Sequence, residues 1–236
     1  PARRGGGPRV SGGRRRGGPR ALGPRVTACV YDAIPARYTF LEPGTAFTPL
    51  PRLPPDQTDR QFDGILIMDT CSWSQLEPAA AFLSETRLPK IIVDHHATRD
   101  DLTGHSAEAL YLIDTTASSA CAMLFEWCEA MRWPVPIDAA AGMFTGIATD
   151  TGWFRFPNTD PRALQAAAAL IGGGLRPDIL HARLMESYSV ARLRLLALTL
   201  GTLGVHAGGR IAVMHLTPEM FAAAGASSAD TEDIVN

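Results

Sequence analysis

The chain has little with which to staple itself together and nothing with which to cross a membrane. Its four cysteines, Cys29, Cys71, Cys121 and Cys128, show no C-x-x-C spacing and no compact disulfide framework. That argues against a zinc ribbon or a small secreted scaffold and leads us to expect reduced core thiols of a cytosolic protein. No stretch approaches the roughly 18 apolar residues of a membrane span, and the apolar run of a secretory signal is missing. The expected location is the cytoplasm, with no membrane partner. Charged residues make up only 19% of the 236, against 46% hydrophobic, an ordinary composition for a globular protein large enough to bury a core.

Acidic residues are wholly missing from the first 26 positions, which hold eight arginines and eight glycines. Such a segment cannot bury a core, and residues 1–24 are expected to form a disordered basic tail. Arg/Gly/Pro density of this kind is also what GC-rich coding DNA yields in the wrong frame. Without the first 26 residues the chain keeps 14 basic against 24 acidic side chains, so its net charge of −2 becomes about −10. An acidic body does not grip long nucleic acid by charge. It suits carboxylates that hold divalent cations. The tail arginines lack interleaved aromatics on which bases could stack.

What is present reads as alternating strands and helices. Val26–Tyr31, Gln61–Asp69 and Lys90–Asp94 are β-branched or continuous apolar runs, the last two of a kind buried on both faces. Helices are expected over Ser74–Arg87, Ala117–Arg132 and Ile137–Thr149, and over Pro161–Ile171 with a cap at Asp160 and a stop at Gly172-Gly173-Gly174. This alternation predicts an α/β fold with a mainly parallel sheet flanked by helices. Beyond Arg176 one helical stretch is expected over Pro177–Leu203. A hairpin about Gly208-Gly209 and a short helix from Thr217 to Ala224 follow.

Three chemically able groups fall at element ends: Asp69, Asp94-His95-His96 and Asp150. Ligands of open α/β sheets sit outside the carboxyl ends of strands, where Asp69 and the Asp94–His96 group would meet. Imidazole with carboxylate suits Mn²⁺ or a similar ion, and a pair of such ions can clamp attacking and leaving oxygens. Singly, each group has a plainer explanation. An Asp at a strand end commonly caps a turn, and Asp150 could open a turn with Gly152.

Together, VDHH at Val93–His96, the strand-terminal Asp69 and TGIATDTGWFRFPNT at Thr145–Thr159 resemble the DHH phosphoesterase superfamily. The branch is similar to the bacterial oligoribonuclease/pAp phosphatase group, relatives of RecJ-type nucleases. The likeness runs from about Arg25 to the C-terminus. It implies a DHH domain over 25–186, a linker helix over 187–203 and a partial DHHA1 substrate-binding domain over 204–236. It further implies Mn²⁺ (or Mg²⁺ or Co²⁺) held by Asp69, His95 and Asp150, with Asp69 bridging two ions. Asp94 would orient the ligating histidine, His96 would sit by the scissile phosphate, and Arg155 could reach a phosphate. Short RNA oligonucleotides or small nucleotides are the implied substrates, without a stable complex with long nucleic acid, and a homodimer is an expected state.

Two family segments are not matched: an HxxPDGDA-type motif expected upstream of Arg25, and a GGGH-type segment beyond Asn236. The chain is therefore expected to bind metal weakly and turn over slowly or not at all. A gene-model product is the favoured explanation, and a degenerate homologue the other. Competing functions are a DHH-type inorganic pyrophosphatase or exopolyphosphatase, and a non-catalytic nucleotide-binding homologue.

Overall fold

In the computed structural model, residues 26–30, 34, 36–41, 48–49, 62–186 and 188–231 are described. The expected basic tail lies outside them, as does most of the early segment that contributed to the family likeness. The chain divides into two compact units between Leu180 and His181.

The first unit is built on three parallel strands in the order β3-β4-β5. These are Ile65–Met68 (β3), Lys90–Asp94 (β4) and Ala109–Ile113 (β5). A separate parallel pair joins Cys29–Val30 (β1) to Thr48–Pro49 (β2). Strand β5 was not anticipated from the sequence, although ALYLI is as apolar as its neighbours. The register places Ile67, Ile92 and Tyr111 in one row and Met68, Val93 and Leu112 in the next. Side chains alternate along a strand, so these rows face opposite ways. The first row packs with Leu76, Ala79 and Leu83 of helix α1 (Glu77–Glu85) and the segment before it. The second packs with Met123 of helix α2 (Ala120–Ala130).

Cover on the α2 side is only partial. Leu66, Ile91 and Leu110, one pleat back in the same register, are 58%, 41% and 48% exposed. The expectation of strands buried on both faces therefore holds for the carboxyl half of the sheet only.

Helices α2, α3 (Ile137–Asp150) and α4 (Pro161–Gly172) enclose a second apolar core around Met143, Phe144, Ile147, Ala163 and Leu170. Small residues let these helices approach closely. A Cβ on Gly146 would lie 2.3 Å from Cys121 Sγ, inside contact distance. The Asp160 cap forms as expected, its side chain accepting from the Ala163 N–H.

The helical stretch from Pro177 is two helices, α5 (Pro177–Met185) and α6 (Val190–Leu200). The break occurs because Ser189 starts a new helix, its hydroxyl accepting from the Arg192 N–H. In the second unit, the antiparallel pair β6 (Gly204–His206) and β7 (Ile211–Val213) is followed by α7 (Pro218–Ala224). Leu195 and Ala224 centre its small core. The four cysteines are free thiols, three of them buried. No helix among the described residues is long and apolar enough to cross a membrane.

Candidate metal centre

The carboxyl edge of the sheet collects the three groups singled out by sequence. Asp69 directly follows β3 and takes a left-handed conformation, φ 61°. Aspartate tolerates that region better than most residues. Its N–H still extends the ladder to the Val93 carbonyl at 2.9 Å, and the turn swings its side chain out of the strand pleat. His95 follows β4, and Asp150 is the last residue of α3. The carbonyl end of a helix carries partial negative charge, which favours a cation there.

These three side chains converge. His95 Nε2 lies 3.5 Å from Asp69 Oδ1 and 3.6 Å from Asp150 Oδ2, with the three side chains 14–17% exposed. Spacings of this size suit donors sharing one ion at bond lengths of about 2.1 Å. Asp69 Oδ1 is also a buried oxygen without a hydrogen-bond partner, as expected of an atom reserved for a ligand. The residues present therefore fit a divalent cation.

The protonation states are strained in a way a cation would relieve. Burial, then the neighbouring Asp69 charge, push Asp150 up to about 6. For His95, burial opposes protonation, but the neighbouring carboxylates of Asp69 and Asp150 outweigh it and raise its pKa. Beneath them, burial pushes the Cys121 thiol well up, with Asp69 and Asp150 adding to the shift. A thiol so shifted is inert, not nucleophilic.

Asp94 is fully buried. Its Oδ1 accepts from the His95 N–H (2.8 Å), the His96 N–H (3.3 Å) and His96 Nδ1 (2.6 Å). The ring that Asp94 orients is thus that of His96, whereas it holds His95 only through the backbone. The His95 ring is set by a residue the sequence did not suggest: Nδ1 lies 3.2 Å from the Ala117 carbonyl. A carbonyl only accepts, so Nδ1 carries a hydrogen, and in the neutral ring Nε2 is left with a lone pair that a cation between it and the carboxylates could take. Donor atoms of Asp69, Asp94, His95 and His96 all lie within 4.8 Å of one another. Asp94 Oδ2 is a second buried oxygen without a partner.

His96 is the most exposed of the group, its side chain 46% accessible, and its ring sits 4.4 Å from that of His95. Arg155 lies apart from the cluster's hydrogen bonds, its Nε donating to the Gly152 carbonyl within the same turn at 2.7 Å. Backbone carbonyls such as that of Ala117 leave no trace in a sequence, since every residue carries one.

No protein-family model matches the chain. It is 30% identical over 189 residues to the bifunctional oligoribonuclease and PAP phosphatase NrnA of Thermus thermophilus, covering 79% of this chain and 51% of that protein. It is 33% identical over 122 residues to the NrnA of Bacillus subtilis, covering 49% and 36% respectively. The chain thus spans about half the length, or less, of these curated relatives. The crystal structure of an exopolyphosphatase-related protein from Bacteroides fragilis superposes with a TM-score of 0.79 at 21% identity, over 89% of this chain and 62% of that one. That likeness concerns the fold. With VDHH and TDTG in place at the sheet edge and the end of α3, the chain belongs to the DHH phosphoesterase superfamily, among relatives of the oligoribonuclease and PAP phosphatase branch.

Proposed function

We propose that this chain carries part of the catalytic domain of a manganese-dependent phosphoesterase acting on short oligoribonucleotides and on 3′-phosphoadenosine 5′-phosphate. The observation that carries the reading is the place of His95 Nε2, 3.5 Å from Asp69 and 3.6 Å from Asp150, with a buried, unpartnered oxygen on Asp69. The NrnA relatives are named for both activities.

Asp69, His95 and Asp150 would hold the ion, Asp69 and Asp150 neutralising its charge and His95 offering Nε2. The cation supplies Lewis acidity, polarising a phosphoryl oxygen and favouring ionisation of water near neutral pH. The remaining work is done by side chains. Asp94 pins His96 through Nδ1, and as the doubly protonated imidazolium the ring would present Nε2–H to a non-bridging phosphate oxygen and offset the charge that develops there. The Ala117 carbonyl keeps His95 in the tautomer that can ligate. Mn²⁺ is chosen over Mg²⁺ because imidazole favours a softer ion than an all-oxygen site does.

The test is Mn²⁺ binding and phosphate release from 3′-phosphoadenosine 5′-phosphate by the 236-residue chain, with Asp150→Ala alongside and pyrophosphate as a competing substrate. Binding and slow release that both require Asp150 are expected. Faster release from pyrophosphate would replace the substrate, and nucleotide binding that ignores EDTA, without hydrolysis, would replace the reading with a sensor.

A further inference from the structure

Asn158 lies in the segment after Asp150, and its side chain joins two pieces of chain that are distant in sequence. Nδ2 donates to the Asp150 carbonyl at 3.1 Å and to the Ser118 carbonyl at 3.3 Å. Both partners only accept, so the amide orientation is settled: the NH₂ group faces them, one hydrogen to each.

Each carbonyl belongs to a part of the metal centre. Ser118 follows Ala117, whose carbonyl sets the His95 ring. Asp150 ends α3, and its carbonyl is among the last four of the helix, which have no intrahelical donor. The loop bearing Ala117 is held from its other side as well. Arg162 donates to Asp114 (2.9 Å) and Thr116 (3.1 Å) while clamping Glu126 of α2 with two bonds of 2.7 Å.

The chain spends conformational energy to bring Asn158 back to this spot. Gly152, Trp153 and Phe154 are successive left-handed residues, φ 55°, 57° and 63°. The two with side chains are strained there. Phe144 meets both rings edge-on at centroid distances of 6.4 and 5.8 Å, and the Thr151 carbonyl accepts from the N–H groups of Arg155 and Phe156. Strain kept in place by its surroundings, beside two metal-binding side chains, points to a positional requirement.

We propose that Asn158 is a positioning residue of the metal centre. Its amide locks the Ala117–Ser118 loop to the end of α3, so that His95 Nε2 and the Asp150 carboxylate are offered at one fixed separation. This rests on the metal-dependent reading above, and the competing explanation is an ordinary helix cap.

The experiment compares Asn158→Ala, which loses both donors, with Asn158→Ser, which keeps a shorter one. Ser189→Ala serves as the control, because it removes a cap of α6 in the other unit. Mn²⁺ affinity, melting temperature and the ring-nitrogen NMR signals of His95 in metal-free protein at alkaline pH are recorded. Mn²⁺ affinity is expected to fall about tenfold in Asn158→Ala, as when partners behind a metal ligand are removed, and less in Asn158→Ser. Their His95 signals should move from hydrogen on Nδ1 toward a mixture of tautomers. Ser189→Ala should melt lower with affinity and tautomer unchanged. Asn158 variants that only melt lower, with wild-type affinity and His95 signals, would reduce Asn158 to a cap and overturn the proposal. If Asn158→Ala does not fold, Asn158→Ser decides. If the wild-type chain binds no Mn²⁺, the functional reading fails instead, and the His95 signals alone decide the role of Asn158.

Discussion

Asp150 shows how a residue proposed to hold a cation would oppose the stability of its own fold. Its carboxyl is pushed up to about 6 by burial and by Asp69, above an ordinary aspartate value of about 4. A folded-state pKa above the unfolded one means the fold is penalised once the group ionises. The penalty is absent below about pH 4, grows as pH rises through the shifted value, and is complete above it. Asp150→Asn should therefore melt a few degrees higher than wild type in metal-free buffer at neutral pH, and the two curves should converge near pH 4. The same substitution should abolish Mn²⁺-dependent hydrolysis. A variant that melts lower at neutral pH would remove the electrostatic account. Asp94 is the opposite case, since three donors converge on one oxygen of a fully buried carboxylate. Asp94→Ala is expected to cost about 2–4 kcal/mol, read by denaturant unfolding, with Asp94→Asn milder because an amide oxygen still accepts.

Between elements, the tightest constraint is the crossing of α2 and α3. Gly146 sits against Cys121, with space for a hydrogen and not for a methyl. Gly146→Ala should cost about 1–3 kcal/mol by overpacking, measured by chemical denaturation. Adding Cys121→Ala removes the obstructing sulfur and should recover most of that loss. A double variant no more stable than Gly146→Ala would mean the contact is not what makes glycine necessary. This crossing was not legible beforehand. Both helices were expected from their apolar runs, but a glycine inside a helix pattern does not say which side chain it makes room for. Strand β5 was missed for a related reason: Ala109–Ile113 is only five residues long, and its identity as a strand comes from pairing with β4.

At the scale of the molecule, the chain contains a single lysine. Lys90 is 1% exposed at the start of β4, and its Nζ donates to the carbonyls of Leu102 and Thr103 at 2.9 and 2.8 Å. Burial lowers its pKa, yet the two bonds and the closed surroundings keep reagents away. An amine-reactive label should therefore modify only the chain's α-amino group under native conditions. Lys90 should react only as fast as the first unit opens. Mass spectrometry before and after denaturation checks this, and rapid native labelling of Lys90 would show that the sheet opens locally around it. Elsewhere the surface is less closed, as the exposed row of Leu66, Ile91 and Leu110 shows.

The sequence by itself determined the alternation of strands and helices and the chemistry waiting at their ends. Apolar runs, proline, glycine and capping residues act locally, so the Lys90–Asp94 strand, the helix that starts at Ile137 and the Asp160 cap are visible in a few neighbouring letters. It also put Asp69, Asp94, His95, His96 and Asp150 in view, because groups that are commonplace singly fall together at the ends of elements. Only the tertiary structure decided how they meet. It gave Asp94 to His96, turned His95 on the Ala117 carbonyl, and brought Asn158 back to the carbonyls of Asp150 and Ser118. The carbonyls of Ala117, Ser118 and Asp150 are backbone atoms of a kind common to every residue, and what selects each of them is the long-range packing that brings it within reach.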